Sequence, residues 1–152
     1  MSRLSKVTYT AEATVDGGRR GHARTPCGRI DVALDAPVEL QGSGGPGTNP
    51  EQLFAAGYAA CFHSALLNVA RKDDLDLRGS TLTAYVSLGP ATGGGGMMLE
   101  VALDLHAPDF TPEQAGRLLA RADEICPYSK AVRGNVEVAL RHDGVPIARA
   151  AA

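Results

Sequence analysis

The sequence has no basic run. Its 15 Lys and Arg stand against 17 Asp and Glu, for a net charge of −2, and no stretch could neutralise a series of phosphates. Nucleic acid is therefore not an expected partner. Met1 to Tyr9 is mixed polar and lacks the apolar segment of a secretory signal, so the expected location is the cytoplasm. Neither Gly-rich segment continues into Gly-Lys-Ser/Thr, which argues against a phosphate-binding loop. Internal repeats are missing, and 152 residues suit a single domain spanning 1–152. Cysteine is scarce. Cys27, Cys61 and Cys126 are too few, and odd in number, for a secreted disulfide scaffold. In a reducing compartment, a disulfide between any two of them would be transient and catalytic rather than structural.

Histidine is scarce too, at four residues. Cys61-x-His63 resembles a metal pair only on paper, because helical positions two apart point about 200° away from each other. No metal is expected, and His63 reads as a satisfied core or interface residue. Cys27 follows Pro26 in a turn and reads as incidental.

What is present is an ordinary globular balance, 44% hydrophobic and 21% charged. Leu53 to Ala70 is about 18 residues long, near the lower limit for a bilayer span. Its apolar character is mostly Ala, interrupted by His63, Ser64 and Asn68, so it reads as a buried helix and no membrane contact is expected.

The element pattern is α+β. Val7 to Val15 alternates and reads as a strand, followed by the Asp16-Gly17-Gly18 turn and short strands over His22 to Thr25 and Ile30 to Leu34. After the Gly-rich loop 41–49, Asn49 and Pro50 suit the N-cap and first position of a long central helix reaching about Arg71. That helix is apolar nearly all round, so protein must cover it on most sides. Strands over Leu82 to Leu88 and Met98 to His106 flank a hairpin connection. Thr111-Pro112-Glu113-Gln114 then opens a second helix, which Pro127 stops at Cys126. Val136 to Arg141 is a last strand, and the tail from about 143 to 152 is expected to fray. Without repeated βαβ units, antiparallel strand pairing is expected.

Two cysteines lie where chemistry is possible. Cys61 is in mid-helix among Phe54, Gly57, Tyr58 and Ala65, where a free thiol is ordinarily a small buried hydrophobe. Cys126 ends a helix against Pro127-Tyr128-Ser129 and could equally be an inert thiol packed in a joint. Attack on a substrate needs a thiolate supported by nearby positive charge or donors. Asp123 and Glu124 share the last turn with Cys126, which makes it the poorer first nucleophile and an adequate second one. Cys61 has no charge of its own on the helix, and Arg19, held on a Gly-Gly turn, is the best supplier of a cation. Glu51 precedes Cys61 by ten residues, or about 15 Å along a helix axis. If Glu51 orients Arg19 at Cys61, it must come from a partner chain whose helix packs antiparallel.

The run Thr48-Asn49-Pro50-Glu51-Gln52-Leu53-Phe54-Ala55-Ala56-Gly57-Tyr58-Ala59-Ala60-Cys61-Phe62 closely resembles the first cysteine motif of the organic hydroperoxide resistance proteins. Cys126-Pro127-Tyr128-Ser129 with Arg133-Gly134-Asn135 resembles their second, and Gly17-Gly18-Arg19 the turn that carries their catalytic arginine. The related osmotically inducible family is looser at Tyr58 and Tyr128. The resemblance implies an intertwined homodimer whose two sites are built from both chains, with Cys61, Cys126, Arg19 and Glu51 as catalytic residues. It implies reduction of alkyl and fatty-acid hydroperoxides to alcohols through a Cys61 sulfenic acid and a Cys61–Cys126 disulfide. A dihydrolipoyl dithiol, free as dihydrolipoamide or on a lipoylated protein, would reduce that disulfide, and no bound cofactor is implied. The competing expectation is a redox-switched binding protein that changes state without turnover.

Overall fold

The computed structural model describes residues 3–147. The chain divides between Pro50 and Glu51 into two compact units.

In the first unit, strands β1 (Thr14–Asp16), β2 (His22–Arg24) and β3 (Asp31–Ala33) form an antiparallel sheet in that order. The expected strand from Val7 is realised only from Thr14. Thr14 is opposite Arg24, and the chain beyond Arg24 turns away through Thr25 and Gly28, so β2 offers no partner to earlier residues. A 3-10 turn, Gly18–Arg20, connects β1 to β2. It is reached through Gly17 and Gly18 at φ 64° and 56°, a backbone that side chains with a Cβ rarely adopt. Beyond β3, Asp35 organises the Gly-rich loop, accepting from Ser43 Oγ at 3.2 Å and the Gly47 amide at 3.1 Å.

The second unit is built on the long helix α1, which spans Pro50–Lys72. It is long and apolar enough to cross a membrane by length and composition. Yet Tyr58, Phe62, Ala65, Leu66, Val69 and Ala70 give it a buried face within the protein core. The opposite face, with Leu53 at 37% and Leu67 at 43% exposed, is left uncovered by this single chain.

Strands β4 (Thr81–Pro90) and β5 (Met97–His106) form an antiparallel hairpin in register from Thr81↔His106 to Pro90↔Met97. Val101, Leu103 and Leu105 point into the core, as the period of two requires. Helix α2 (Pro112–Ile125) buries Ala115, Leu118, Leu119 and Ala122, an i, i+3, i+4, i+7 stripe. Its start is the expected capping box, in which Thr111 and Gln114 each bond the other's backbone amide.

Three features of the second unit differ from the expected pattern. A third helix, α3 (Pro127–Val132), follows at once. The proline that bars helical geometry at Cys126 is also well suited to open the next helix. Strand β6 (Glu137–His142) then pairs with β5 in parallel, correcting the expectation of antiparallel pairing throughout. The cause is α2 and α3, which carry the chain back to the starting end of the sheet, so β5 to β6 is one βαβ crossover. Finally, Val145–Pro146 forms β7 against β6, so the chain stays paired past Asp143, while the rest of the expected tail, 148–152, lies outside the described residues.

Because α2 carries Cys126 at its end, its cap bears on the site. Thr111→Ala should lower unfolding stability by about 1 kcal/mol, read from the urea midpoint at unchanged slope.

Candidate active site

Phe54, Tyr58, Cys61 and Phe62 recur at helical spacing along α1 and belong to or pack against the core. Facing them is the junction of α2 and α3. Cys126 is extended there, at φ −62° and ψ 122°, and serves both helices. Its amide donates to the Ala122 carbonyl at 2.8 Å, and its own carbonyl accepts from Lys130 at 3.0 Å. The junction is therefore a rigid elbow. Arg133 braces it, donating to the Asp123 carbonyl at 2.7 Å and its carboxylate at 3.2 Å.

The elbow brings together two sulfurs 65 residues apart in sequence. The Cys126 thiol points at Cys61 Sγ across 3.6 Å, and both cysteines are free. A disulfide measures about 2.05 Å, so a short approach would join them. Cys126 is fully buried, whereas Cys61 is only partly so.

Burial is the main influence on Cys61 and pushes its thiol up from the ordinary range. The backbone N–H of Tyr128, in the first turn of α3, acts against this by favouring the thiolate, and the neighbouring Cys126 adds to the rise. The net direction is upward.

Aromatic rings of α1 and α3 pack on one another where the two helices meet. Tyr128 stacks on Phe54 with centroids 6.3 Å apart and lies 5.8 Å from the Tyr58 ring. Tyr58 meets Phe54 and Phe62 edge-on at 5.8 and 6.4 Å. Gly57 makes room for this arrangement: a Cβ there would stand 3.3 Å from the Tyr128 hydroxyl. The Tyr58 hydroxyl, fully buried, is 2.9 Å from Ser129 Oγ.

Arg19 sits half-buried on the Gly17–Gly18 turn, in the first unit. Glu51 lies in the first turn of α1, and the helix is continuous from there to Cys61, which keeps the two about 15 Å apart along its axis. His63 Nε2 lies 3.1 Å from Ser80 Oγ, whose own proton goes to the Leu77 carbonyl, so the ring donates to the serine. Cys27 is exposed, and the Thr25 hydroxyl and the Arg29 amide lower its thiol from the ordinary range. Among the described residues, no three His, Cys, Asp or Glu side chains converge as a metal site would need.

Several site features escaped the sequence reading. These are the Tyr128 amide at Cys61, the fit of Tyr128 over Gly57, and the Tyr58–Ser129 bond. Cys-Pro at a helix end was the available signal: a proline there opens a second helix, whose first amides point back toward the preceding elbow.

Two thiols this close, unlinked, with one partly open and one buried, define a dithiol site able to cycle through a disulfide. Comparison with known proteins gives the family. Residues 42–141 match the family described as OsmC-like protein. An organic hydroperoxide resistance protein of Xanthomonas axonopodis pv. citri (strain 306) is 45% identical over 92% of this chain and 98% of its own length. The organic hydroperoxide resistance protein OhrB of Bacillus subtilis (strain 168) is 44% identical over 87% and 96%. The crystal structure of an organic hydroperoxide resistance protein from Legionella pneumophila superposes with a TM-score of 0.83 at 46% identity, covering 90% of this chain and 98% of that one. The chain belongs to the OsmC-like family, in its organic hydroperoxide resistance group.

Proposed function

We propose that this protein is a cysteine-based peroxidase that reduces organic hydroperoxides, an antioxidant and detoxifying role in keeping with the organic hydroperoxide resistance for which its relatives are named. The observation that carries the reading is the pair of free sulfurs 3.6 Å apart. The Cys61 thiolate attacks the terminal peroxide oxygen. The O–O bond breaks, the alcohol leaves with a proton, and Cys61 becomes a sulfenic acid. Cys126 then attacks that sulfur, forming the disulfide and releasing water.

A raised thiol needs a cation to be nucleophilic at neutral pH, and Arg19 is the residue proposed to bring it. Glu51 would orient that guanidinium. Its distance from Cys61 along α1 favours supply from a second copy in an intertwined homodimer, and the uncovered Leu53 and Leu67 face of α1 suits burial in such a dimer. The cluster of Phe54, Tyr58 and Tyr128 rings where α1 meets α3 supports a preference for alkyl and fatty-acid hydroperoxides over hydrogen peroxide. A dihydrolipoyl dithiol, as dihydrolipoamide or on a lipoylated protein, is the proposed reductant, returning both thiols by exchange. The cytoplasm is the proposed compartment, since the cycle requires that both thiols be regenerated.

One equivalent of tert-butyl hydroperoxide should remove two hydrogens from the protein mass and link Cys61 to Cys126, and added dihydrolipoamide should then sustain turnover. Consumption that stops after one equivalent would instead mark a redox switch, and faster use of hydrogen peroxide would reject the substrate preference. Arg19→Ala should shift the pH profile of Cys61 alkylation upward relative to the wild type. A raised thiol has less thiolate at any given pH, so the variant should alkylate more slowly near neutrality, and superimposable profiles would remove Arg19 from the site. Finally, mixing inactive Glu51→Ala chains with inactive Cys61→Ser chains should restore about one working site per mixed dimer if sites are shared. No recovery would place Glu51 elsewhere.

A further inference from the structure

We propose that Tyr58 and Ser129 are positioning residues for the resolving step. Their buried hydrogen bond holds the Cys126 elbow on α1, so that disulfide closure outruns further oxidation of Cys61. The inference rests on the peroxidase reading and concerns only its second half.

The segment Cys126–Ser129 meets one stretch of α1 at three places. Cys126 Sγ contacts Cys61, Tyr128 packs over Gly57, and Ser129 Oγ reaches the Tyr58 hydroxyl at 2.9 Å. Of these three, only the last is a hydrogen bond between groups that take no part in the redox chemistry. Tyr58 and Ser129 are both almost wholly buried, at 0% and 2% exposure, so water does not compete for their bond. Tyr58 precedes Cys61 by three residues and Ser129 follows Cys126 by three. The bond therefore spans the two helices one turn from the sulfurs on each side.

The chemistry explains why such a tie matters. A Cys61 sulfenic acid has two competing fates. Cys126 can displace its hydroxyl, giving the disulfide and water, or a second hydroperoxide can transfer an oxygen, giving the sulfinic acid and another alcohol. The first is reversible by a dithiol and the second is not. Closure requires the sulfurs to shorten their separation by only about 1.5 Å, provided that the elbow stays in place. An elbow that swings free loses this proximity advantage, while the competing oxidation is unaffected.

The test uses the full-length protein with Ser129→Ala and Tyr58→Phe, each of which deletes the bond and keeps most of the packing, and Ser129→Thr, which retains the hydroxyl. Reduced protein is mixed with one equivalent of tert-butyl hydroperoxide. Peroxide loss, dimedone-trapped sulfenic acid and disulfide formation are followed separately. Both deletion variants should close the disulfide about tenfold more slowly, trap more sulfenic acid, and form sulfinic acid under excess hydroperoxide. Their first-step peroxide loss should stay within about twofold of the wild type, and Ser129→Thr should recover closure. A parallel oxidation with diamide forms the same disulfide without hydroperoxide, and it should show the same slowing. Wild-type closure rates in both deletion variants would overturn the proposal. So would peroxide loss that slows as much as closure, which would indicate general loosening of the site. A wild-type protein inert to hydroperoxide would end the peroxidase reading alone, since the diamide rates would still decide the role of the tie.

Discussion

Cys126 and Pro127 occupy a bend in which one helix ends and another begins, and the site depends on where that bend rests. Proline excludes helical geometry from the residue before it, so Cys126 must be extended. An extended residue between two helices points its side chain out of both, here into the face of α1 that carries Cys61. The same bend brings the Tyr128 N–H to the Cys61 sulfur, where it favours the charged form. Contact between sulfurs and electrostatic support for one of them thus follow from a single backbone constraint.

That support is smaller than the cost it opposes. Burial dominates at Cys61, and one peptide N–H does not reverse it. The core that packs the two helices together also makes the first sulfur reluctant to ionise. A cation beside this sulfur would favour its thiolate. The sequence offers Arg19 for this, on a glycine turn whose left-handed backbone fixes where the residue starts.

Much of the fold was legible because its signals are local. Thr111 and Gln114 mark a helix start by chemistry confined to four residues, and α1 and the β4–β5 hairpin follow from periodicity over long windows. What was missed depends on distance in the chain. The β5–β6 pair is parallel because two helices intervene, and α3 is too short to show a period. The strand expected from Val7 alternates correctly yet has no neighbour before Thr14, since pairing needs a second strand as well as a pattern. The two cysteines and, in the first unit, the glycine turn were readable as residue types. The Tyr58–Ser129 bond joins positions 71 apart, and spacing alone gives no sign of it.

The two sulfurs also differ in access, with Cys126 sealed and Cys61 partly open. Traffic between the pair and solution is therefore one-sided. In the proposed cycle, an incoming thiol too large for the core would reach a linked pair through the outer atom, and the inner one would depart as leaving group. Any mixed intermediate would then be carried on α1, and the elbow sulfur would be spared adducts throughout.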